Sequence, residues 1–306
     1  MNLLVGATGF VGGHVVEYLF QQGEISKGVF RKGSHLKIMD TSGVQGVEAD
    51  LLDHHSLHEA MEGVDIVYSM ASPMPGADDD FMRINTEGLL NLLEVAKEAK
   101  AKAFVHLSTV EVFGFKAGTV QGSAPNPSNE YQRAKAEAER LLDEFSRRSS
   151  GPRVAVIRAA KAVGSRDETL VLPVLSKAET GTITVPSGGP MSFIHPKDIA
   201  QAMYRAAIGG VPTGSRYNVM SFEATPEALV REIVSACGKS AEVRRQGLFS
   251  GSSLPGYTTE LLKASLRIEP QPNWGELGYA PQYSLKTTCE EIATWYKKSP
   301  WVTESA

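Results

Sequence analysis

Short apolar runs alternate with longer helical stretches through the first half of the chain. Leu3 to Val5, Gly28 to Arg31, Val47 to Ala49, Asp65 to Met70, Phe104 to Leu107 and Val154 to Ile157 are brief runs that predict buried strands. His14 to Gln22, Arg83 to Lys100 and Tyr131 to Arg148 fall between most of them and predict helices. Strand-helix alternation of this kind predicts an α/β fold, a doubly wound parallel sheet with right-handed crossovers and helices on both faces. Beyond Arg158 the pattern loosens, and the strands expected at Thr182 to Val185 and Arg216 to Val219 are short and isolated. Helices remain clear at Pro196 to Ala207, Pro226 to Cys237 and Leu285 to Lys298, the last carrying apolar Leu285, Ile292, Trp295 and Tyr296. The expected organisation is a sheet-bearing domain over residues 1–158, completed by about 192–218, with 159–306 forming mainly a smaller lobe. That lobe is expected over the C-terminal edge of the sheet, where such sheets bind ligands.

Composition narrows the partners. A chain of 306 residues with 42% hydrophobic and 22% charged residues has the make-up of a globular protein. Its net charge of -4 gives no bulk attraction to nucleic acid or to anionic membranes, so a small-molecule partner is expected. Cys237 and Cys289 are far apart and lack metal-type spacing, and His54, His55 and His58 sit in what reads as a solvated helix start, so no metal site is expected. No apolar stretch reaches transmembrane length, and Met1 to Val5 runs straight into the first strand without a basic leader; a cytoplasmic location is expected.

Gly6-Ala7-Thr8-Gly9-Phe10-Val11-Gly12 lies between the first strand and the first helix. Glycines there let the chain turn tightly and bring backbone N–H groups to a pyrophosphate at the helix N-terminus, which marks a dinucleotide site and a Rossmann fold. At the end of the second strand, where an acidic residue would accept hydrogen bonds from the ribose of NAD, the chain has Arg31 and Lys32. Two cations and no acid favour a 2′-phosphate, so NADP is the expected cofactor, with NAD the other choice.

The spacing Gly-x-x-Gly-x-x-Gly resembles that of the extended short-chain dehydrogenase/reductases, the NAD-dependent epimerase/dehydratase-like proteins. The resemblance extends along essentially the whole chain. Asp50-Leu51 is similar to the pair that holds the adenine, Ala71-Ser72 to the turn lining the cofactor, and Ile84-Asn85-Thr86-Glu87-Gly88 to the helix whose asparagine is structural or relays protons. Leu277-Gly278-Tyr279-Ala280-Pro281, with Trp295-Tyr296 downstream, resembles the family's tail. Members often pair through two long helices, which here implies a homodimer.

Tyr131 and Lys135 stand four residues apart in the first turns of a predicted helix, one above the other. A cation beside a phenol favours the phenolate, and such a pair can move a proton at a substrate oxygen. The resemblance implies a catalytic set of Thr109, Tyr131 and Lys135 with Asn85 as a possible fourth member, and Ser108 as the fallback for Thr109. It also implies that Lys135 lowers the Tyr131 pKa while holding the nicotinamide ribose. Nucleotide-sugar dehydratases carry Thr-Asp-Glu where this chain has Thr109-Val110-Glu111, so their acid is replaced by valine. The stretch Pro190 to Asp198 lacks an arginine expected for sugar nucleotides, and Lys161 stands where an asparagine is common. These departures imply a ketone, aldehyde or secondary alcohol substrate, as in the hydroxysteroid dehydrogenase and flavonol reductase branches. A nucleotide-sugar epimerase or dehydratase and a non-catalytic NADP-binding regulator are the competing readings. Glu111, Met74, Phe113 and Lys161 are the candidate substrate contacts, whereas His195 is expected to pack and Asp78-Asp79-Asp80 to cap a helix.

Overall fold

The computed structural model describes residues 1–32, 43–73, 81–114, 118–119, 124–148, 150–247, 251–263 and 266–299. Met74 and Asp78 to Asp80 lie outside the described residues.

Seven parallel strands form the central sheet: β1 (Asn2–Val5), β2 (Ser26–Phe30), β3 (Gln45–Glu48), β4 (Ile66–Ser69), β5 (Ala103–Thr109), β6 (Arg153–Ala159) and β7 (Ser215–Val219). Their order is β7-β6-β5-β4-β1-β2-β3, so the strand sequence reverses between β1 and β4. The central strands are buried on both faces, which is why they read as apolar runs without alternation. On one face pack α1 (Phe10–Gln21) and the helix Pro196–Ile208, around Val15, Leu19, Ile199 and Met203. On the other lie the helices His54–Ala60, Leu89–Glu98 and α4 (Glu130–Arg148), around Leu57, Leu92, Leu93 and Leu142.

Two expectations are corrected by the structure. The strands at Thr182 to Val185 and Arg216 to Val219 are not isolated: the first pairs with Glu242–Arg245, and β7 pairs in parallel with β6 from Ser215 opposite Ala155 to Val219 opposite Ala159 as an edge of the sheet. The helix expected over 83–100 is not uniform, because a π-helical turn at Ile84–Gly88 precedes the α-helix Leu89–Glu98. Thr86 donates from Oγ1 to the Met82 carbonyl at 2.9 Å within this turn, and a Cβ on Gly88 would lie 2.9 Å from the Leu51 Cβ. The glycine therefore lets the widened turn press against the Asp50-Leu51 loop.

The α4 helix is amphipathic by register. Ala134, Lys135, Ala138, Glu139, Leu141 and Leu142 are buried on one side, and Arg133 and Arg140 are exposed on the other. Asn129 opens it by accepting the Gln132 N–H on Oδ1 at 2.9 Å.

The later part of the chain adds a second core in which Val171, Val174, Ile183, Phe193, Val230, Ile233 and Ile292 are buried together. Short strands brace it: Thr182–Val185 pairs with Glu242–Arg245, and Met191–Ile194 pairs with Lys161–Ala162 and Phe222–Ala224. This region also closes back onto the sheet. The Trp274 indole donates to the Asn218 carbonyl at 2.7 Å, the Tyr279 hydroxyl donates to the Met220 carbonyl at 3.0 Å, and the two rings meet edge to face. Asp198, 1% exposed, accepts from the Gln282 and Tyr283 N–H groups and from Ser221.

Trp274 packs in the same core as β7, so its truncation acts on the sheet as well as on the tail. Trp274→Ala is expected to lose about 3–5 kcal/mol, read as a lower denaturant midpoint with an unchanged slope.

Candidate active site

The loop after β1 has two glycines that the chain itself requires. Gly6 has φ +95°, and a Cβ on it would lie 2.6 Å from the Ala71 N; a Cβ on Gly12 would lie 1.9 Å from the Gly6 carbonyl oxygen. Both permit close backbone approach, and the first brings β1 against the turn after β4. Gly9 differs. Its Cβ would meet only the Gly6 carbonyl oxygen, at 3.4 Å, so the protein itself leaves room for a side chain there. Gly9 is the N-cap of α1, with no side-chain cap and no acid in the first turn, and it is exposed. Those first-turn N–H groups and the positive end of the helix dipole fit a pyrophosphate lying over Gly9. A dinucleotide is compatible with the rest of the strand edge. Asp50 is fixed by accepting the Leu52 N–H at 2.9 Å, Leu51 and Ala71-Ser72 are partly exposed, and Arg31 and Lys32 are exposed just beyond β2.

The candidate reacting residues converge at the C-terminal end of β5. Thr109 is the last residue of that strand; its Oγ1 accepts the Glu111 N–H at 3.2 Å and its side chain hydrogen-bonds the Tyr131 phenol. With one lone pair engaged by Glu111, the Thr109 hydroxyl keeps its proton free to donate to the phenol oxygen. Ser108 points elsewhere, donating to Glu139 at 2.5 Å. Lys135 is 3% exposed and donates from Nζ to the Leu107 carbonyl at 3.3 Å. Asn85, 3% exposed in the π-helical turn, accepts from the Ser72 hydroxyl at 3.5 Å and so borders the Ala71-Ser72 turn.

The electrostatics differ from the expectation of a depressed phenol. Burial pushes the Tyr131 phenol up, Glu111 and Tyr257 push it further, and the Thr109 hydrogen bond pulls the other way. Burial brings the Lys135 ammonium down to about 8, against the opposing pull of Glu139. Burial also raises the Glu111 carboxyl, with Lys161 acting against it. The phenol is therefore held neutral, the form that donates a proton.

Of the four substrate candidates, Glu111 acts electrostatically on Tyr131, and Lys161 acts on Glu111. Phe113 does neither: it is 6% exposed, packs with Val110 and Val112, and lies under the Arg158 guanidinium, 4.9 Å from ring centroid to Cζ. His195 is fully buried, stacked 3.7 Å from the Tyr283 ring and capping the helix Pro196–Ile208. Two polar residues at the site carry no local sequence signal. Asp167 is fully buried and Tyr257 comes from the helix Gly256–Lys263; Tyr257 acts on Tyr131, and Asp167 shares Lys161 with Glu111.

Residues 2–219 match the model of the NAD dependent epimerase/dehydratase family. The chain belongs to that family. It is thus an enzyme of the extended short-chain dehydrogenase/reductase type. It is 27% identical to sterol demethylase protein B of Methylococcus capsulatus, over 71% of this chain and 69% of that protein. It is 29% identical to the 2-alkyl-3-oxoalkanoate reductase of Shewanella oneidensis, over 59% of this chain and 49% of that one. Among solved structures, the UDP-glucuronic acid 4-epimerase from Bacillus cereus superposes with a TM-score of 0.81 at 22% identity, covering 97% and 99% of the two chains. That likeness concerns the fold. No helix among the described residues is long and apolar enough to cross a membrane.

The two kinds of glycine in this family member separate by experiment. Gly9→Ala is expected to keep the thermal midpoint within a few degrees, since the N-cap change costs at most about 1 kcal/mol, yet to weaken dinucleotide binding roughly tenfold or more. Gly12→Ala is expected to lower the yield of folded protein. Calorimetric titration of the Gly9→Ala protein with NADP and NAD checks the assignment, and wild-type affinity would refute it.

Proposed function

We propose that this family member is an NADP-dependent oxidoreductase that interconverts a ketone or aldehyde and an alcohol. The observation that carries the reading is the hydrogen-bonded set at the end of β5: Thr109 bonded to a buried, neutral Tyr131, with the Lys135 ammonium one helical turn away. The nicotinamide supplies or takes up the hydride. In the reductive direction Tyr131 gives its proton to the carbonyl oxygen as that oxygen gains negative charge, and the Thr109 hydroxyl stabilises the phenolate left behind. Lys135 would hold the cofactor ribose, its cation one helical turn from the same phenolate. Asn85, buried beside Ser72, borders the cofactor-lining turn and fixes its shape.

Gly6, Thr8, Gly9, Phe10, Val11 and Gly12 would hold the pyrophosphate, Asp50 and Leu51 the adenine, and Ala71 and Ser72 the inner part of the dinucleotide. Arg31, with Lys32, would pair with the 2′-phosphate; a guanidinium suits that group because it binds phosphate through two parallel hydrogen bonds. The identity to a 2-alkyl-3-oxoalkanoate reductase supports a carbonyl substrate. Val110 supports the same reading over sugar dehydration, since it is 2% exposed in the core and offers no acid beside Glu111. The two long helices expected over Arg83 to Lys100 and Tyr131 to Arg148 are the proposed dimer contact, and the cytoplasm is the proposed location.

Tyr131→Phe is expected to lower kcat by about 10²–10⁴-fold in a nicotinamide-absorbance assay over a carbonyl panel, with little change in cofactor affinity. Full turnover by that variant would exclude the assigned mechanism. Sugar conversion without net absorbance change, in a screen of UDP- and dTDP-sugars, would instead favour an epimerase or dehydratase. Lys135 is charged below its pKa of about 8, so kcat/KM for reduction is expected to be flat below that pH and to fall as pH rises through it. Arg31→Asp should reverse the cofactor preference, read as the ratio of kcat/KM for NADPH and NADH.

A further inference from the structure

Consecutive residues of β5 are gripped by two side chains one turn apart on α4. The Lys135 ammonium donates to the Leu107 carbonyl at 3.3 Å, and the Glu139 carboxylate accepts from the Ser108 hydroxyl at 2.5 Å. Leu107 and Ser108 share one peptide unit, and residues four apart on a helix lie on one face, so the ammonium and the carboxylate stand side by side against the strand. Both residues are 3% exposed, and a buried pair of charges is screened far less than one in water.

Glu139 is held from the sheet as well. Arg158 lies opposite Ser108 in the β5–β6 register and donates to the carboxylate from Nη2 at 2.5 Å and from Nε at 3.0 Å. Arg216 of β7 reaches the same carboxylate at 3.3 Å and also pairs with Asp143, one turn further along α4 and away from Lys135. The other groups about the ammonium supply no negative charge. Tyr131, one turn back, is the neutral phenol, and His106 of β5, whose Nδ1 is hydrogen-bonded with the Ser69 hydroxyl at 3.1 Å, is kept neutral by burial, with Lys135 pressing the same way. On the π-helical turn that packs against α4, Arg83 and Glu87 pair with each other at 2.7 Å on the exposed surface, and Asn85 is uncharged. Burial draws the Lys135 ammonium down, and Glu139 acts against it.

We propose that Glu139 is a positioning residue for the reaction: acting through Lys135, it anchors the ammonium beside β5 and keeps it cationic while Tyr131 gives up its proton. Arg158 and Arg216 restrain that carboxylate and oppose its field. This rests on the carbonyl-alcohol reading above and deepens it.

The test follows the Lys135 titration by NMR of the full-length protein labelled at its lysine ε-carbons, with the signal assigned by its loss in Lys135→Arg, and measures kcat/KM for ketone reduction against pH in parallel. Glu139→Gln keeps the shape and an acceptor for Ser108 but removes the charge, and is expected to lower the Lys135 midpoint by about one pH unit or more. The rate follows the charged fraction of Lys135, so kcat/KM is expected to fall at least about fivefold at about pH 8 and to stay within about twofold of wild type at about pH 6. Arg216→Gln removes a cation that opposes the carboxylate and is expected to move the midpoint upwards. A merely structural role for Glu139 would lower kcat/KM alike at both pH values and leave the midpoint in place. Shifts of opposite sign in the two variants support the proposal, and an unmoved midpoint in Glu139→Gln overturns it. Should that variant fail to fold, Arg216→Gln decides alone: an upward shift supports the proposal, and no shift or a downward one overturns it. Absence of turnover on every ketone defeats the carbonyl reading, whereas the NMR midpoints need no substrate and still decide whether Glu139 governs Lys135.

Discussion

One buried carboxylate holds the candidate chemistry in register. Glu139, 3% exposed, accepts from Ser108 at 2.5 Å, from the Arg158 guanidinium at 2.5 and 3.0 Å, and from Arg216 at 3.3 Å, so it ties α4 to β5, β6 and β7 at once. Arg216 also pairs with Asp143 one turn further along the helix. Replacing such a cluster by well-packed apolar residues is often neutral in energy, so the account of it here is geometric. Counting back along the same helix face from Glu139 gives Lys135 and then Tyr131, at spacings of four. Fixing Glu139 against three strand ends therefore sets how far Lys135 stands from the Leu107 carbonyl and Tyr131 from Thr109.

The same cluster separates the two hydroxyls that end β5. Successive strand residues face opposite ways, so when Ser108 turns to Glu139, Thr109 is directed to the opposite side, where its neighbours are Glu111 and Tyr131. Sequence position alone left Ser108 as an alternative; the partner of each side chain distinguishes them.

What was legible in the chain was what depends on local spacing. The glycine loop, the apolar strands and the Tyr131-Lys135 pair are short-range patterns, and they recur in the structure within a residue or two of their expected places. Asp167 and Tyr257 were not legible because neither lies in a periodic segment or motif; the helix that carries Tyr257 is docked by Thr258 on Thr169, two residues from Asp167. The π-helical turn escaped because its sequence reads as ordinary helix; only the fold brings Gly88 against Leu51. Glu139 escaped for the opposite reason. It falls on a helix dense in Glu and Arg, where exposed pairs such as Arg140 with Glu137 look the same in sequence as the one carboxylate that folding buries.

Burial acts on the two central groups in opposite directions, and the outcome is coherent chemistry. Taking a phenol out of water penalises its anion and taking an ammonium out of water penalises its cation, so Tyr131 is driven to stay neutral while Lys135 is drawn down to about 8. A neutral phenol and a still-cationic ammonium at neutral pH is the protonation state that a carbonyl reduction starts from. One force that would stabilise the phenolate is present: the Thr109 hydrogen bond, which acts against the upward push of burial. Glu111 and Tyr257 work against ionisation of Tyr131.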